Sequence, residues 1–400
     1  MAGRNRKSKS NSSASVLGLI IVLVLGAIYT LTGNGPTDSP TATEVAHSGS
    51  APDTSNPPSM PTSVSSGSSD WWEVYFTDPV NIHDPAQLQG SIEEHLIEKI
   101  NAAKSSIHIA SFEFDLTPVT EALIAAKQRG VDVRWVTDDE NGLDADEEPG
   151  RGQFAMLAGA GIEVRSDNRS ALMHNKFWIF DGQMVWTGST NITKNGIFDQ
   201  NNNVLVIYSP ELAAMYEAEF QEMWNGEFGP KSPSQLANQT AIINGSQVLV
   251  IFTSEDGALE TAIIPFVESA QSSVYFLAFS FTDYPLAAAM IERWNSGVEV
   301  AGVFESFGST TDAAELRTLY CGNVPVRQDG NGGFMHNKVI VVDERYVITG
   351  SLNFSTSAET ANDENVIIID NRDIARLYIN EFERIWAMGK DVDPGEFVCQ

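Results

Sequence analysis

One nineteen-residue pattern occurs twice in this chain, and a fold that must accommodate two copies has few options. Residues 173–191 and 335–353 both read Met-His-Asn-Lys, four residues, Asp, six residues, then Gly-Ser-x-Asn, at a constant offset of 162. The four residues between Lys and Asp, Phe177–Phe180 and Val339–Val342, are aromatic or branched apolar residues, which predicts a buried strand in each copy. Strand alternation places His174 with Lys176, and His336 with Lys338, on one face. Gly-Ser-x-Asn then supplies a tight turn with a hydroxyl and an amide, Ser189 with Asn191 and Ser351 with Asn353.

One copy is half a site. Two copies facing each other across a pseudo-twofold axis would gather two imidazoles and two ammonium groups around one anionic centre. One imidazole could attack phosphorus while the other protonates the leaving oxygen, chemistry that requires no metal or other cofactor. A lone His on a strand is more often a satisfied core residue; the matched Lys, Ser and Asn in both copies argue for function. Asp181 and Asp343 follow their strands and precede turns, so a structural turn or salt-bridge role stands beside the catalytic one. Asn191-Ile-Thr and Asn353-Phe-Ser also match glycosylation acceptors, but the anion-site pattern already explains both.

The doubled His-x-Lys-x4-Asp-x6-Gly-Ser-x-Asn pattern resembles the phospholipase D superfamily of phosphodiesterases, over roughly residues 74–388. The resemblance implies two similar α/β lobes meeting at one active site, and a phosphohistidine intermediate resolved by water or an alcohol. It assigns His174 as nucleophile and His336 as general acid. Lys176, Asp181, Lys338, Asp343 and Glu364 complete the catalytic set, and Ser189, Asn191, Ser351 and Asn353 bind the phosphate. Relatives usually carry a carboxylate downstream of each motif to orient a His. Here the second half has Glu364, whereas the first half has Asn202 in that place, with Asp199 as a possible substitute.

Charge bears on the substrate. The chain has 53 acidic and 24 basic residues, a net charge of −29, and four of the basic residues lie at the extreme N-terminus. An acidic body with one cationic pocket suits a single phosphodiester, such as a phospholipid headgroup at a membrane surface, better than a polyanion, because nucleic-acid binders usually present basic patches. A phospholipase of this kind is therefore expected. The alternatives are a nuclease of the same superfamily, a phosphatidyltransferase of cardiolipin-synthase type, and a non-catalytic lobe pair that binds phosphates or partners.

Arg4, Arg6, Lys7 and Lys9 precede an uncharged apolar run from Val16 to Leu31. Residues 1–15 are read as a basic cytoplasmic tail and residues 16–32 as a signal anchor, a transmembrane helix that places the rest outside; a cleaved signal is the alternative. Residues 33–70, rich in Ser, Thr, Pro and Gly, are expected to form a disordered linker.

From Trp71 strands and helices alternate, which means an α/β fold. Lobe 1 is expected over 71–230 and lobe 2 over 245–395, with both motifs in one chain and hence a monomeric catalytic unit. Each lobe closes on a helix with the same stripe, Tyr216/Glu219/Phe220/Trp224 and Tyr378/Glu381/Phe382/Trp386, read as core packing. The acidic loop 138–148 reads as a solvated charged loop rather than a calcium site, and His108 as structural. Cys321 and Cys399 have no metal-ligand spacing; outside the cytoplasm they could pair.

Overall fold

A computed structural model describes residues 64–233 and 239–399. Residues 61–400 form a compact unit of their own. The basic tail, the signal anchor and nearly all of the expected linker lie outside the described residues. Among those described, no helix is long and apolar enough to cross a membrane.

Lobe 1 contains strands β1 (Gly67–Ser68), β2 (Trp72–Phe76), β3 (Ser106–Ser111), β4 (Asp132–Thr137), β5 (Glu163–Ser166), β6 (Lys176–Phe180), β7 (Met184–Gly188) and β8 (Asn203–Tyr208). Lobe 2 contains β9 (Thr240–Ile243), β10 (Ser246–Thr253), β11 (Ser273–Ala278), β12 (Glu299–Phe304), β13 (Val326–Gln328), β14 (Lys338–Val342), β15 (Tyr346–Gly350), β16 (Glu364–Asp370) and β17 (Lys390–Asp391). The first sheet runs β1-β2-β8-β7-β6-β3-β4-β5 and the second β17-β13-β12-β11-β14-β15-β16-β10-β9. Seven strands follow the same order in both, β2-β8-β7-β6-β3-β4-β5 matching β10-β16-β15-β14-β11-β12-β13, so the sequence duplication is a duplication of topology.

In each lobe the motif strand is central. β6 pairs antiparallel with β3 and β7, and β14 with β11 and β15. Among the named strands, parallel pairing is confined to β3-β4-β5 and β11-β12-β13, the strands linked by helical crossovers. All five residues of β6 and of β14 are buried, as an apolar run covered on both faces requires.

The lobes share one core. The helices Pro210–Trp224 and Arg372–Met388 bury the stripes read from the sequence, Trp386 only in part, and Tyr216 packs edge-on against both Phe177 of its own lobe and Phe252 of the other. Phe76 meets Tyr378 in the same way across the seam. Buried apolar residues from both sheets thus form one continuous cluster, which fixes the two motifs relative to each other.

Three local details add to the sequence reading. Gly67–Ser68, at the end of the expected linker, pairs with β2 and belongs to lobe 1. Between β10 and β11 the chain forms a wide turn at Leu259–Ile263 and then a regular helix at Ile264–Glu268; Pro265, which has no N–H to donate, sits in the first turn of the latter. Cys321 and Cys399 form a disulfide with Cα atoms 5.3 Å apart, tying the C-terminus to lobe 2.

Candidate active site

The motif strands begin at the seam, and main-chain bonds cross it in matched pairs. His174 N–H donates to Asp363 O and His336 N–H to Asn201 O, both at 2.9 Å. The segment ahead of β6 is also tied to the end of β4 by Met173 N–H on Asp138, and the segment ahead of β14 to the end of β12 by Met335 N–H on Glu305. These anchors hold each His-x-Lys against the opposite lobe's downstream segment.

Each imidazole therefore finds its partner across the seam. His174 Nδ1 lies 2.7 Å from Glu364 Oε2, and His336 Nδ1 lies 2.9 Å from Asn202 Oδ1. Using Nδ1 in this way leaves Nε2 of each ring for chemistry. Lys176 Nζ donates to His174 O at 2.8 Å and Lys338 Nζ to His336 O at 2.7 Å. Phe112 packs edge-on to His174 under the Lys176 ammonium, and Phe279 does the same for His336 and Lys338.

The Gly-Ser-x-Asn turns explain themselves at atomic distance. Gly188 and Gly350 have φ of +148° and +146°, and a Cβ on either would lie 2.3 or 2.1 Å from the carbonyl oxygen of Asn203 or Asn365. Only glycine fits. The following serines were expected to bind phosphate, and their hydroxyls have protein partners in this structure. Ser189 Oγ donates to Asn202 Oδ1 and accepts from Asn203 N–H and Nδ2; Ser351 Oγ accepts from the same groups of Asn365 and hydrogen-bonds Glu364. Their hydroxyls are consumed in aiming the histidines' partners. Asn191 is buried and Asn353 partly so, and the Oδ1 of each, an acceptor, is buried without a partner; a phosphate oxygen would have to be met by their Nδ2 donors.

Asp181 and Asp343, for which a structural turn role and a catalytic role were both open, lie away from the histidines. Each sits in a left-handed turn at the far end of its strand, five residues or about 17 Å from the motif Lys. Asp181 accepts from the N–H groups of Lys104, Ser105 and Ser106, and Asp343 from those of Gln271, Ser272 and Ser273. A carboxylate spent on three amides at the start of the neighbouring strand fixes the sheet; it does not act on a histidine.

Asn203 and Asn365, which the sequence reading passed over, form the inner frame. Asn203 Nδ2 donates to Asn337 Oδ1 and Asn365 Nδ2 to Asn175 Oδ1, both at 2.8 Å across the seam. Their own Oδ1 atoms accept from Thr349 and Thr187, again from the opposite lobe. The signal for them was visible: each immediately follows the position already singled out, Asn202 or Glu364.

Electrostatics sharpen the picture. Burial, Lys176 and Lys338 hold His174 well below the ordinary imidazole value, and burial with the same lysines does so for His336. Burial pulls Lys176 down to about 8 despite Glu364, Glu113 and Asp138 nearby, and holds Lys338 well below its usual value. Burial pushes Glu364 up to about 7, opposed first by Lys176. Burial thus drives both members of the His174–Glu364 pair toward neutrality. We assign the shared proton to His174 Nδ1 and the charge to Glu364, because two adjacent ammonium groups favour a carboxylate and disfavour an imidazolium.

Elsewhere, Asp138, Asp139 and Asp167 bring carboxylate oxygens within 4.8 Å of one another. Asp138 accepts from Asn141 and Met173, and Asp167 from Asp139 N–H and Arg169, while burial and the neighbouring Asp138 push Asp167 up to about 7. His108 is structural, bonded to Glu217 and stacked on Phe220. Glu364, rather than Asp199, is the carboxylate that reaches a motif histidine; Asp199 lies on the rim.

Comparisons with known proteins place the chain. The family model described as "Cardiolipin synthase, PLD-like domain" matches residues 96–224 and 263–386, together more than half of the sequence. Phospholipase D of Rickettsia prowazekii (strain Madrid E) is 34% identical over 143 residues, 36% of this chain and 69% of that protein. Mitochondrial cardiolipin hydrolase of Xenopus tropicalis is 35% identical over 128 residues, 32% of this chain and 60% of that protein, so the match spans under two thirds of that relative. The solved phosphatidylserine synthase of Haemophilus influenzae Rd KW20 superposes with a TM-score of 0.55 at 17% identity, covering 80% of this chain and 87% of that one, a likeness of fold. With the doubled motif assembled across one seam and the family model matching both halves, the chain belongs to the phospholipase D superfamily.

Proposed function

We propose that this cleft hydrolyses the phosphodiester of a phospholipid through a covalent phosphohistidine, with all catalytic groups supplied by the protein. The observation that carries the reading is the pairing of His174 with Glu364 and of His336 with Asn202, beside two buried lysines. Nε2 of His174 attacks phosphorus, and the P–O bond to the leaving alcohol breaks as the imidazolium form of His336, its Nδ1–H held by Asn202, gives its Nε2 proton to that oxygen; burial and the two lysines disfavour this form, and the anionic diester would favour it. Water then attacks phosphorus, gives its proton to His336, and the N–P bond breaks. Lys176, Lys338, Asn191 and Asn353 would hold the non-bridging oxygens, and Glu364 would balance the charge of the phosphorylated imidazole. Because no step needs a metal, turnover should survive EDTA. An alcohol in place of water would give phosphatidyl transfer by the same route.

Lipid is favoured over nucleic acid by charge at the cleft. Lobe 1 brings Glu113, Asp115 and the 138–140 acids to the ends of β3 and β4, where a nucleic-acid track would need cations. The Cys321–Cys399 disulfide supports an oxidising, extracytoplasmic location, with residues 16–32 as the membrane anchor. One chain carrying both half-sites supports a monomeric catalytic unit.

The test is hydrolysis of a phosphatidyl lipid against single- and double-stranded DNA, in EDTA, by residues 61–400 and their His174→Ala variant. Lipid cleavage lost in the variant is the expected result. Cleavage of DNA alone would overturn the substrate assignment while leaving the two histidines in place.

A further inference from the structure

The two rims of the cleft have the same backbone and opposite chemistry. At the start of the helix after the first crossover strand, lobe 1 has Thr117-Pro118 and lobe 2 has Tyr284-Pro285. After the next strand, lobe 1 has Asp138-Asp139-Glu140 where lobe 2 has Glu305-Ser306-Phe307. Just before the motif strand, Leu172 in lobe 1 is replaced by Phe334 in lobe 2. The lobe 2 rim thus carries three aromatic rings at the carboxyl ends of β11 and β12, and they face solvent: Phe307 is 77% exposed, Tyr284 62% and Phe334 40%.

Two of these rings are continuous with the reaction centre. Phe307 lies 6.0 Å from Phe334, Phe334 5.8 Å from Phe279, and Phe279 4.5 Å from His336. A cavity of about 370 Å³ opens beside them, bounded by Phe307 and Phe334 on one side and Asp199 and Gln200 on the other. Phe307 makes no contact that a folded core requires, and a nearly bare phenylalanine beside a catalytic cleft marks a surface that meets something apolar.

We propose that the Tyr284/Phe307/Phe334 ridge docks the cleft onto a zwitterionic lipid surface, seating lobe 2 in the interfacial layer so that a headgroup phosphate enters beside His336. Aromatic side chains partition into that layer, and a bilayer of zwitterionic lipid presents no net charge to repel a chain of net charge −29. The acidic rim of lobe 1 stays on the water side and disfavours anionic bilayers. The same rings could stack nucleobases, but the acidic rim opposes a polyanion. This proposal rests on the phospholipid reading of the site.

The test separates docking from chemistry. Flotation with phosphatidylcholine vesicles, with and without added phosphatidylglycerol, is measured for residues 61–400 carrying His174→Ala, alone and with Tyr284→Ser and Phe307→Ser. Turnover of a soluble bis-aryl phosphodiester is measured for the same surface variants with His174 intact. An Ile242→Ser control removes an equally bare side chain, 72% exposed, from β9 at the far edge of the lobe 2 sheet. Removing the two rings should weaken vesicle binding on the order of ten-fold or more, leave soluble turnover within about two-fold, and Ile242→Ser should change neither; phosphatidylglycerol should weaken binding further. Vesicle binding unchanged by the ring variants, or no vesicle binding by the parent, overturns the proposal, as does a ring-dependent gain in single-stranded DNA binding or in self-association instead. If vesicles bind through the rings but only DNA is cleaved, docking stands and the lipid reading falls. If vesicular lipid is cleaved equally by parent and ring variants, the reverse holds.

Discussion

His174 rests on a carboxylate reaching across from lobe 2, whereas His336 rests on an amide reaching across from lobe 1. Everything around the two contacts is matched: the lysine on its own histidine's carbonyl, the phenylalanine beneath it, the serine behind the partner, the asparagine frame. Duplication preserved the scaffold, and the difference is one functional group. A carboxylate stabilises the positive charge that appears on an imidazole when its other nitrogen bonds phosphorus. An amide oxygen fixes the ring's tautomer and orientation but neutralises nothing. The asymmetry therefore favours His174 as nucleophile and His336 as the group that gives and takes a proton.

A second mismatch lies on the closing helices. In lobe 2, buried Glu381 is held by Arg384 through two bonds of 2.7 and 2.8 Å. At the matching place in lobe 1, Glu219 is buried with one oxygen unpartnered, and Glu222 stands where Arg384 would be. Burial, with Glu255 and Asp363 close by, pushes Glu219 well above the ordinary carboxyl value, and burial pushes Glu255 up to about 9. Burial raises Glu381 as well, but Arg384 opposes it, so lobe 2 pairs its buried acid with a cation whereas lobe 1 sets its acid among other carboxylates.

The largest effects should come from the histidines themselves. His174→Ala and His336→Ala should each lower kcat by about 10³-fold or more, on lipid or on any other diester the wild type cleaves. Near-full turnover by either single variant would remove the two-histidine scheme. Next come the helix acids, which should respond with opposite signs. Glu381→Gln leaves a buried guanidinium uncompensated and should cost about 3–5 kcal/mol in denaturant unfolding. Glu219→Gln should instead stabilise the protein near pH 8. The sign follows from linkage: a raised folded-state carboxyl pKa gives stability that is full below about 4.5 and is lost as pH rises through the folded value, so the glutamine variant gains as the parent loses. Equal losses from both variants would show that the two helices do not differ in charge state.

Smaller effects test the carboxylate–amide difference directly. Glu364→Gln should reduce kcat about 10²-fold, and the exchange of Glu364→Asn with Asn202→Glu should regain part of the loss of Glu364→Asn alone. In the parent, kcat/KM should rise through about pH 7 as Glu364 ionises and fall above about pH 8 as Lys176 loses its proton. Glu364→Gln should erase the acid flank and keep the alkaline one. A profile unchanged in shape would assign the acid flank to another group.

Much of this was legible in the sequence because the duplication carries its own control. His174 with His336, Lys176 with Lys338, and Glu364 against Asn202 are pairs that strand alternation and a fixed offset bring out without coordinates. What stayed hidden was the use of short polar side chains. Asp181 and Asp343 sit in the motif, yet bond to main-chain amides some 75 residues upstream, a partner set that depends on which strand lies alongside. Ser189 and Ser351 read as phosphate ligands because a hydroxyl after glycine suits an oxyanion; sheet register turned them instead toward residues 202–203 and 364–365. The aromatic rim was invisible for the same reason: Tyr284, Phe307 and Phe334 are scattered in sequence, and only the parallel order of β11 and β12 gathers them at one edge.

The central claim, that His174 carries the covalent intermediate and His336 the proton, is tested most directly by trapping. A p-nitrophenyl phosphodiester has a leaving group that departs without acid, so His336→Ala enzyme should still be phosphorylated but slow to release product. Peptide mapping by mass spectrometry after a rapid quench should find the phosphoryl adduct on His174. An adduct on His336 in His174→Ala enzyme, with none on His174 in His336→Ala enzyme, would contradict the assignment.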